Sequence, residues 1–362
     1  MSGNANRLSW VDTAKGLSII LVVMMHSAYG VGEETGQAGI LHWIIAWATP
    51  FRMPEFFLIS GLFLSQVIAR DWLKFADRRI VHYFYFYALW AVLQIVFKVG
   101  LGTGDPLSML QQIALAVVDP YGVLWFIYML AVFSLMTKVL WDLRVNSWVA
   151  LGLAAVLQIL PIHDTGSYIV DQFAEYFVYF FAGYALAPWI FRAVDWAQER
   201  VTLSLGLLAL YAVGNGLLVF TGGFEMQPVH IETGFASLPV LHLALALAGS
   251  LALCTSAALL AKLPFMDWLR WLGAHSIVVY LSFSIPMALT RVVLLKVGII
   301  EDTSILSVIV MLVAMLSPLV LYWAIERTGW GKFLFERPAW AHLPGTPGSR
   351  SAVTPTRVAP AE

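Results

Sequence analysis

The sequence predicts an all-α fold, a polytopic integral membrane bundle of about ten transmembrane helices. Three observations carry the prediction. Of 362 residues, 60% are hydrophobic and only 12% charged, about half the charge of a soluble domain. The apolar residues gather into runs near the length of about 20 residues that a helical crossing needs, at roughly 9–30, 45–68, 80–100, 120–140, 146–161, 168–191, 201–220, 238–261, 274–296 and 304–325. The basic residues fall mostly on one side of those runs.

The first run follows only a few polar residues, and no small-residue cleavage pattern comes after it. It therefore reads as a retained helix rather than a signal peptide. The second contains Pro50 and Pro54 and is expected to start or break there inside the bundle. Between the third and fourth runs, 106–119 is a shorter amphipathic stretch ending in Asp119-Pro120, expected to lie at the interface. Residues 1–330 form the expected transmembrane domain. Residues 331–362, rich in Pro, Gly, Ser and Thr towards the end, read as a disordered cytoplasmic tail. No soluble module is legible, which makes the bundle the expected place of any chemistry.

With the N-terminus placed in the cytoplasm, only Arg52, Lys98, Arg291 and Lys296 of the 21 Lys and Arg residues lie outside. That asymmetry orients the bundle with both termini cytoplasmic, and it suits an even number of spans. Fifteen Trp and 13 Tyr suit two membrane interfaces, and membrane lipids are the expected surroundings. A net charge of −1 argues against nucleic acid as a partner. The single cysteine, Cys254, lies in an apolar run, so an internal disulfide and a Cys-based metal site are both excluded. No metal-ligand spacing, Gly-rich phosphate loop or nucleophile elbow is present.

Ionisable residues at membrane depth are costly and point to function. Asp12, Lys15 and His26 lie in the first run. Lys15 and His26 are about three helical turns apart, so they share a face about 16 Å apart along the axis. Asp12 and Lys15 are spaced to pair. The structural alternative makes Asp12 and Lys15 interface anchors and His26 a hydrogen-bonded core histidine. Arg52 and Glu55 flank Pro54 in the second run, close enough to pair and at about the depth of His26. A purely structural ion pair is the alternative there. Arg70, Lys74, Arg78, Arg79 and His82 concentrate positive charge on the cytoplasmic side, suited to phosphate groups or to lipid headgroups. Asp171 with Glu175, an aromatic belt at Trp125-Phe126, and a core His242 are lesser candidates.

These features resemble the membrane-bound acyltransferase family 3, whose members O-acylate glycans and related acceptors. The resemblance runs over roughly 8–325. It rests on Lys15-Gly16 through His26, on Pro54-Glu55-Phe56-Phe57-Leu58-Ile59-Ser60-Gly61, and on Leu124-Trp125-Phe126. It continues in Phe180-Phe181-Ala182-Gly183-Tyr184 and in Gly273-Ala274-His275-Ser276 through Tyr280. Lys15 stands where Arg is frequent, and Glu55 where an apolar residue is usual. Ala76 replaces the first of two basic residues, Arg79 matching the second. Phe283 replaces a His seven residues after Ser276, so no essential role for that second His exists in this chain.

The resemblance implies a transferase of the cell inner (plasma) membrane. It moves an acyl group, acetyl or succinyl, from cytoplasmic acyl-CoA to a hydroxyl of a cell-envelope glycan or lipid-linked acceptor, with no permanently bound cofactor and no metal. Lys15, Arg78 and Arg79 are the expected donor-binding residues, with Asp12 positioning Lys15. His26 is the expected general base, since imidazole titrates near neutral pH; a covalent acyl-His relay is the alternative. Glu55 is expected to orient His26, and Arg52 to stabilise the oxyanion. The rival reading is a transporter or exporter of a glycan or lipid intermediate, which explains buried charges and a broken helix equally well.

Overall fold

The computed structural model describes residues 9–100, 104–162 and 164–350. Arg7, Arg357 and the end of the expected tail, 351–362, lie outside the described residues. In chain order the helices are α1 (Ser9–Thr35), α2 (Ile40–Leu62), α3 (Trp72–Gly100), α4 (Pro106–Leu115) and α5 (Trp125–Asp142). They continue as α6 (Ser147–Ile159), α7 (Tyr168–Ala185), α8 (Ala187–Glu199) and α9 (Val201–Val219). A two-stranded hairpin, β1 (Glu225–Met226) and β2 (Ile231–Glu232), separates these from α10 (Pro239–Leu260). The chain ends with α11 (Asp267–Ala274), α12 (Ser276–Ser282), α13 (Ser284–Val297) and α14 (Thr303–Thr328).

The fold is all-α, as the composition requires, and each expected span falls on a helix. By length and composition six segments qualify as membrane crossings, and eight do when α7 with α8 and α12 with α13 each count as one bent span. The shortfall from ten has two causes. The 13 residues of α6 rise about 20 Å, short of the roughly 30 Å hydrocarbon layer. The other, α2, carries two prolines and the charges of Arg52 and Glu55 within its 23 residues.

Nor does α2 break. It runs helically through both Pro50 and Pro54. Each proline removes one helix hydrogen bond, at about 3 kcal/mol in an ordinary helix. The helix survives because α1, α7 and α10 enclose it and hold its backbone in place. The real bends are elsewhere, 73° between α7 and α8 and 54° between α12 and α13.

Helix α1 is the hub, packed against α2, α10, α11 and α14. Glycines set the closest approaches. A Cβ on Gly273 of α11 would meet the carbonyl oxygen of Asp12, and one on Gly16 would meet the Leu269 carbonyl. Between α2 and α7 the arrangement is reciprocal: Gly61 lies on the Phe180 carbonyl and Gly183 on the Leu58 carbonyl. Small residues let transmembrane backbones touch in this way. Gly61→Ala is expected to cost about 1–3 kcal/mol by overpacking, read as a lower thermal midpoint of the purified protein.

The start of α1 and the end of α2 share one end of the bundle, where Trp10 and Phe63 both pack edge-on to Phe191. The Arg70–Arg79 segment follows directly, and we refer to this as the basic end. At the opposite end His42 ties the hairpin to α2: its Nδ1 accepts from the Gly39 amide at 3.0 Å and its Nε2 donates to the Pro228 carbonyl at 2.9 Å.

The expected disordered tail differs as far as residue 350. Residues 331–350 include short helical turns at Lys332–Leu334 and Ala339–Ala341. The Trp90 indole donates to the Leu334 carbonyl and the Tyr85 hydroxyl to that of Phe333, both at 2.9 Å. Aromatic residues and one buried arginine anchor a stretch whose Pro and Gly content reads as disorder.

Candidate active site

His26, Tyr29, Gly30 and Glu33 follow the i, i+3, i+4, i+7 spacing of a single helix face. That face of α1 lines a cavity of about 730 Å³ towards the end opposite the basic one. Lys98 at the end of α3 lines the same space, as do Phe283, Ser284, Met287 and Arg291 around the α12–α13 bend. The bend swings α13 away from the line of α12 and opens the space beside His26. The Phe283 ring lies 5.4 Å from the His26 ring, centroid to centroid. The position that holds a second histidine in the resembling family therefore does face His26, but here it offers an aromatic wall and no proton. The Ser284 hydroxyl beside it is buried and lacks a hydrogen-bond partner.

Arg52 is buried, and its Nε and Nη1 have no hydrogen-bond partner. Its charge and that of Lys98 both reach His26 electrostatically. Glu55 Oε2 accepts from the Ser18 hydroxyl at 2.6 Å, and its Oε1 is buried without a partner. Ser18 precedes His26 by eight residues, about 12 Å along the axis. The expected placement of Glu55 beside His26, and its pairing with Arg52, are both corrected. Antiparallel packing of α1 and α2 sets a register in which three residues along α2 move Glu55 away from the histidine, towards the basic end.

At the basic end Arg70, Lys74, Arg78, Arg79 and His82 line one pocket of about 400 Å³, so the expected cluster does converge. A one-turn π-helical segment at Asp77–Val81 carries two of the arginines, and a second at Val96–Gly100 carries Lys98 at the other cavity. Such wide turns re-aim side chains and concentrate at functional sites. The Arg79 guanidinium donates to the Tyr83 hydroxyl at 3.1 Å. Lys15 and Asp12 line neither space; they lie on α1 where it crosses α11, Asp12 buried and Lys15 half-buried.

Sequence reasoning missed the other wall of this pocket. Arg337, His342 and Pro347 of the tail complete it. Arg337 Nη2 donates to Asp77 Oδ2 at 2.6 Å, with both side chains almost fully buried. The Leu343 amide donates to Asp77 Oδ1 at 2.8 Å, and His342 Nδ1 lies 3.2 Å from Oδ2. One carboxylate on α3 thus gathers Arg337, His342 and Leu343 of the 331–350 strap. The only signal was a cluster of Arg, Trp and His residues at 337–342 inside a Pro-rich stretch.

Trp125 is half-buried and Phe126 buried. Phe126 stacks on Phe56 at 4.5 Å and packs against Phe57 and Tyr280. The Tyr280 hydroxyl donates to the Val123 carbonyl at 2.9 Å and accepts from the Ile127 amide at 3.2 Å, holding the entry to α5. The aromatic motifs therefore build the floor between α2, α5, α7 and α12. Asp171 accepts from the Thr165 hydroxyl at 2.7 Å and orders the turn before α7. His242, half-buried at the start of α10, bonds to the Ala236 carbonyl at 3.3 Å.

Comparison with known proteins gives one family. Its acyltransferase domain, acyltransferase family 3, matches residues 8–323. No curated protein and no solved structure matches. A match over nearly nine-tenths of the chain, ordered on a helical membrane scaffold, settles the choice against a transporter. The chain belongs to the acyltransferase 3 family and is a membrane acyltransferase.

Proposed function

We propose that the enzyme takes an acetyl or succinyl group from acyl-CoA bound at the basic end and transfers it to a hydroxyl of a glycan or lipid-linked acceptor in the His26 cavity. The basic end faces the cytoplasm of an inner-membrane protein in this reading. The observation that carries it is the pairing of two spaces on one bundle: a pocket walled by Arg70, Arg78, Arg79 and Arg337, and a cavity walled by the half-buried His26.

Guanidinium groups grip phosphate oxygens through charge-assisted hydrogen bonds, so the basic pocket suits the phosphates of coenzyme A. Lys15 lies about 16 Å from His26 towards the basic end, and in this reading it guides the thioester arm between the two spaces. In the reaction His26 removes the acceptor hydroxyl proton as that oxygen attacks the thioester carbonyl carbon. The tetrahedral oxyanion is stabilised by the Arg52 charge. Its collapse breaks the carbon–sulfur bond, and the imidazolium returns the proton to the departing thiolate. Glu55, held by Ser18, keeps the α1–α2 contact and takes no part in the proton transfer.

The donor arm has its own test. Each arginine contact to phosphate is worth about 1.5–3 kcal/mol. Arg78→Gln with Arg79→Gln is expected to raise the KM for acyl-CoA by about 10²-fold, with kcat nearly unchanged. An unchanged KM in the doubly substituted enzyme would remove the basic pocket from the donor site.

A further inference from the structure

We propose that the acceptor carries an anionic group next to the reacting hydroxyl, held by Lys98 and Arg291 beside His26. The inference rests on the acyl-transfer reading of the His26 cavity and names the class of molecule it accepts.

Basic residues are scarce at this end of the bundle: only Arg52, Lys98, Arg291 and Lys296 fall on that side of the spans. Two of those four share one cavity. Lys98 and Arg291 line the cavity, and Arg52 acts on His26 from α2. Lys98 and Arg291 come from different helices and repel each other as like charges. Bringing two cations together in a low-dielectric wall is unfavourable unless an anion joins them.

The acidic groups nearby, Glu33 and Glu34, are exposed and offset the two cations only in part. Glu33 lines the cavity but is exposed. Glu34 Oε1 forms an ion pair with Arg291 Nη2 at 3.8 Å, longer than a hydrogen bond and with half of the Glu34 side chain in the open, so it leaves the buried Nε free for a ligand. The Arg291 Nε is buried and unpartnered, as is the hydroxyl of Ser284. Both belong to the wall that faces His26.

The position of Arg291 fixes where the anion sits. Its guanidinium lies against Gly30, in the room that a Cβ there would fill. Gly30 is one helical turn beyond His26 on the same face, about 6 Å along the axis. An acceptor that gives its hydroxyl to His26 and its charge to Arg291 spans that distance within one sugar residue. A guanidinium fork is matched to a carboxylate or a phosphate. A uronic-type carboxylate and a sugar or lipid-linked phosphate share this chemistry.

The test compares binding of methyl glucuronoside, methyl glucoside 6-phosphate and neutral methyl glucoside to the full-length protein in nanodiscs, by calorimetry at low and high salt. At least one charged sugar is expected to bind tenfold or more tighter than the neutral one, and its affinity should fall with ionic strength. Which of the two binds separates a carboxylate acceptor from a phosphate one. Arg291→Gln and Lys98→Gln should each remove most of the preference. Arg291→Lys keeps the charge without the fork, so it should be intermediate, which controls for misfolding. Equal affinity for all three sugars, or binding of neither charged one, would overturn the proposal. His26→Ala keeps the two readings apart: it abolishes transfer if His26 is the base, and it leaves the charge preference in place if Lys98 and Arg291 create it.

Discussion

His26→Ala is expected to lower acyl transfer by about 10²–10⁴-fold, the range that a positioned general base contributes. The loss should appear in kcat, because the base acts in the transition state and not in donor binding. The KM for acyl-CoA, set at the other end of the bundle, should hardly move. The substitution removes a half-buried ring from the edge of a cavity of about 730 Å³, so the protein should still fold. Thermal unfolding of the purified variant checks that point, and initial rates with acetyl-CoA and succinyl-CoA check the rest. Undiminished turnover at normal protein levels would remove His26 from the mechanism. Phe283 bears on the interpretation. Its ring packs on His26 at the position where the resembling family often carries a second histidine, so that position offers no imidazole to take over the proton.

The second large effect lies at Asp77. Replacing one partner of a buried, hydrogen-bonded ion pair costs about 3–5 kcal/mol, because the remaining charge stays buried. In Asp77→Ala the buried guanidinium of Arg337 loses its carboxylate, and the Leu343 amide loses its acceptor. Arg337 has an escape, since the strap that carries it is peripheral. Swinging the strap into water rehydrates the charge. The cost therefore appears as detachment of residues 331–350, with global unfolding little affected. About 3–5 kcal/mol corresponds to a rise of about 10²–10⁴-fold in the detached population. Trypsin cleavage at Lys332 and Arg350 in detergent should accelerate accordingly. Asp77→Ala combined with Arg337→Met should release the strap less, since it leaves neither charge buried. Cleavage at the wild-type rate in Asp77→Ala would mean that the Trp90 and Tyr85 contacts alone hold the strap.

The all-α bundle was legible because span formation depends on local composition: a run such as 304–325 has no other stable place than a helix in an apolar medium. His26 was legible as an ionisable residue at membrane depth, and the basic cluster as positive charge concentrated on one side of the spans. What local reading missed depended on partners distant in sequence. Glu55 was placed beside His26 from its nearness to Arg52 along α2, but the α1–α2 register gives it to Ser18. Pro50 and Pro54 signalled a break, yet the three helices around α2 keep it continuous. The strap looked disordered because its composition says nothing of Asp77, which lies 260 residues from Arg337. Lys98 and Arg291 entered the sequence reading only as two of four outlying charges. Their convergence on His26 is a tertiary fact.

The central claim is that donor and acceptor meet at His26 from opposite ends of the bundle. Sided proteoliposomes test it most directly, with labelled acetyl-CoA or succinyl-CoA supplied to one face and a glycan acceptor confined to the other. Acylated product is expected when the donor is on the face that exposes the 331–350 strap and the acceptor is on the face of Lys98 and Arg291, and none when the two are exchanged. Product from donor and acceptor supplied together on the Lys98 face, with none from the basic face, would contradict it.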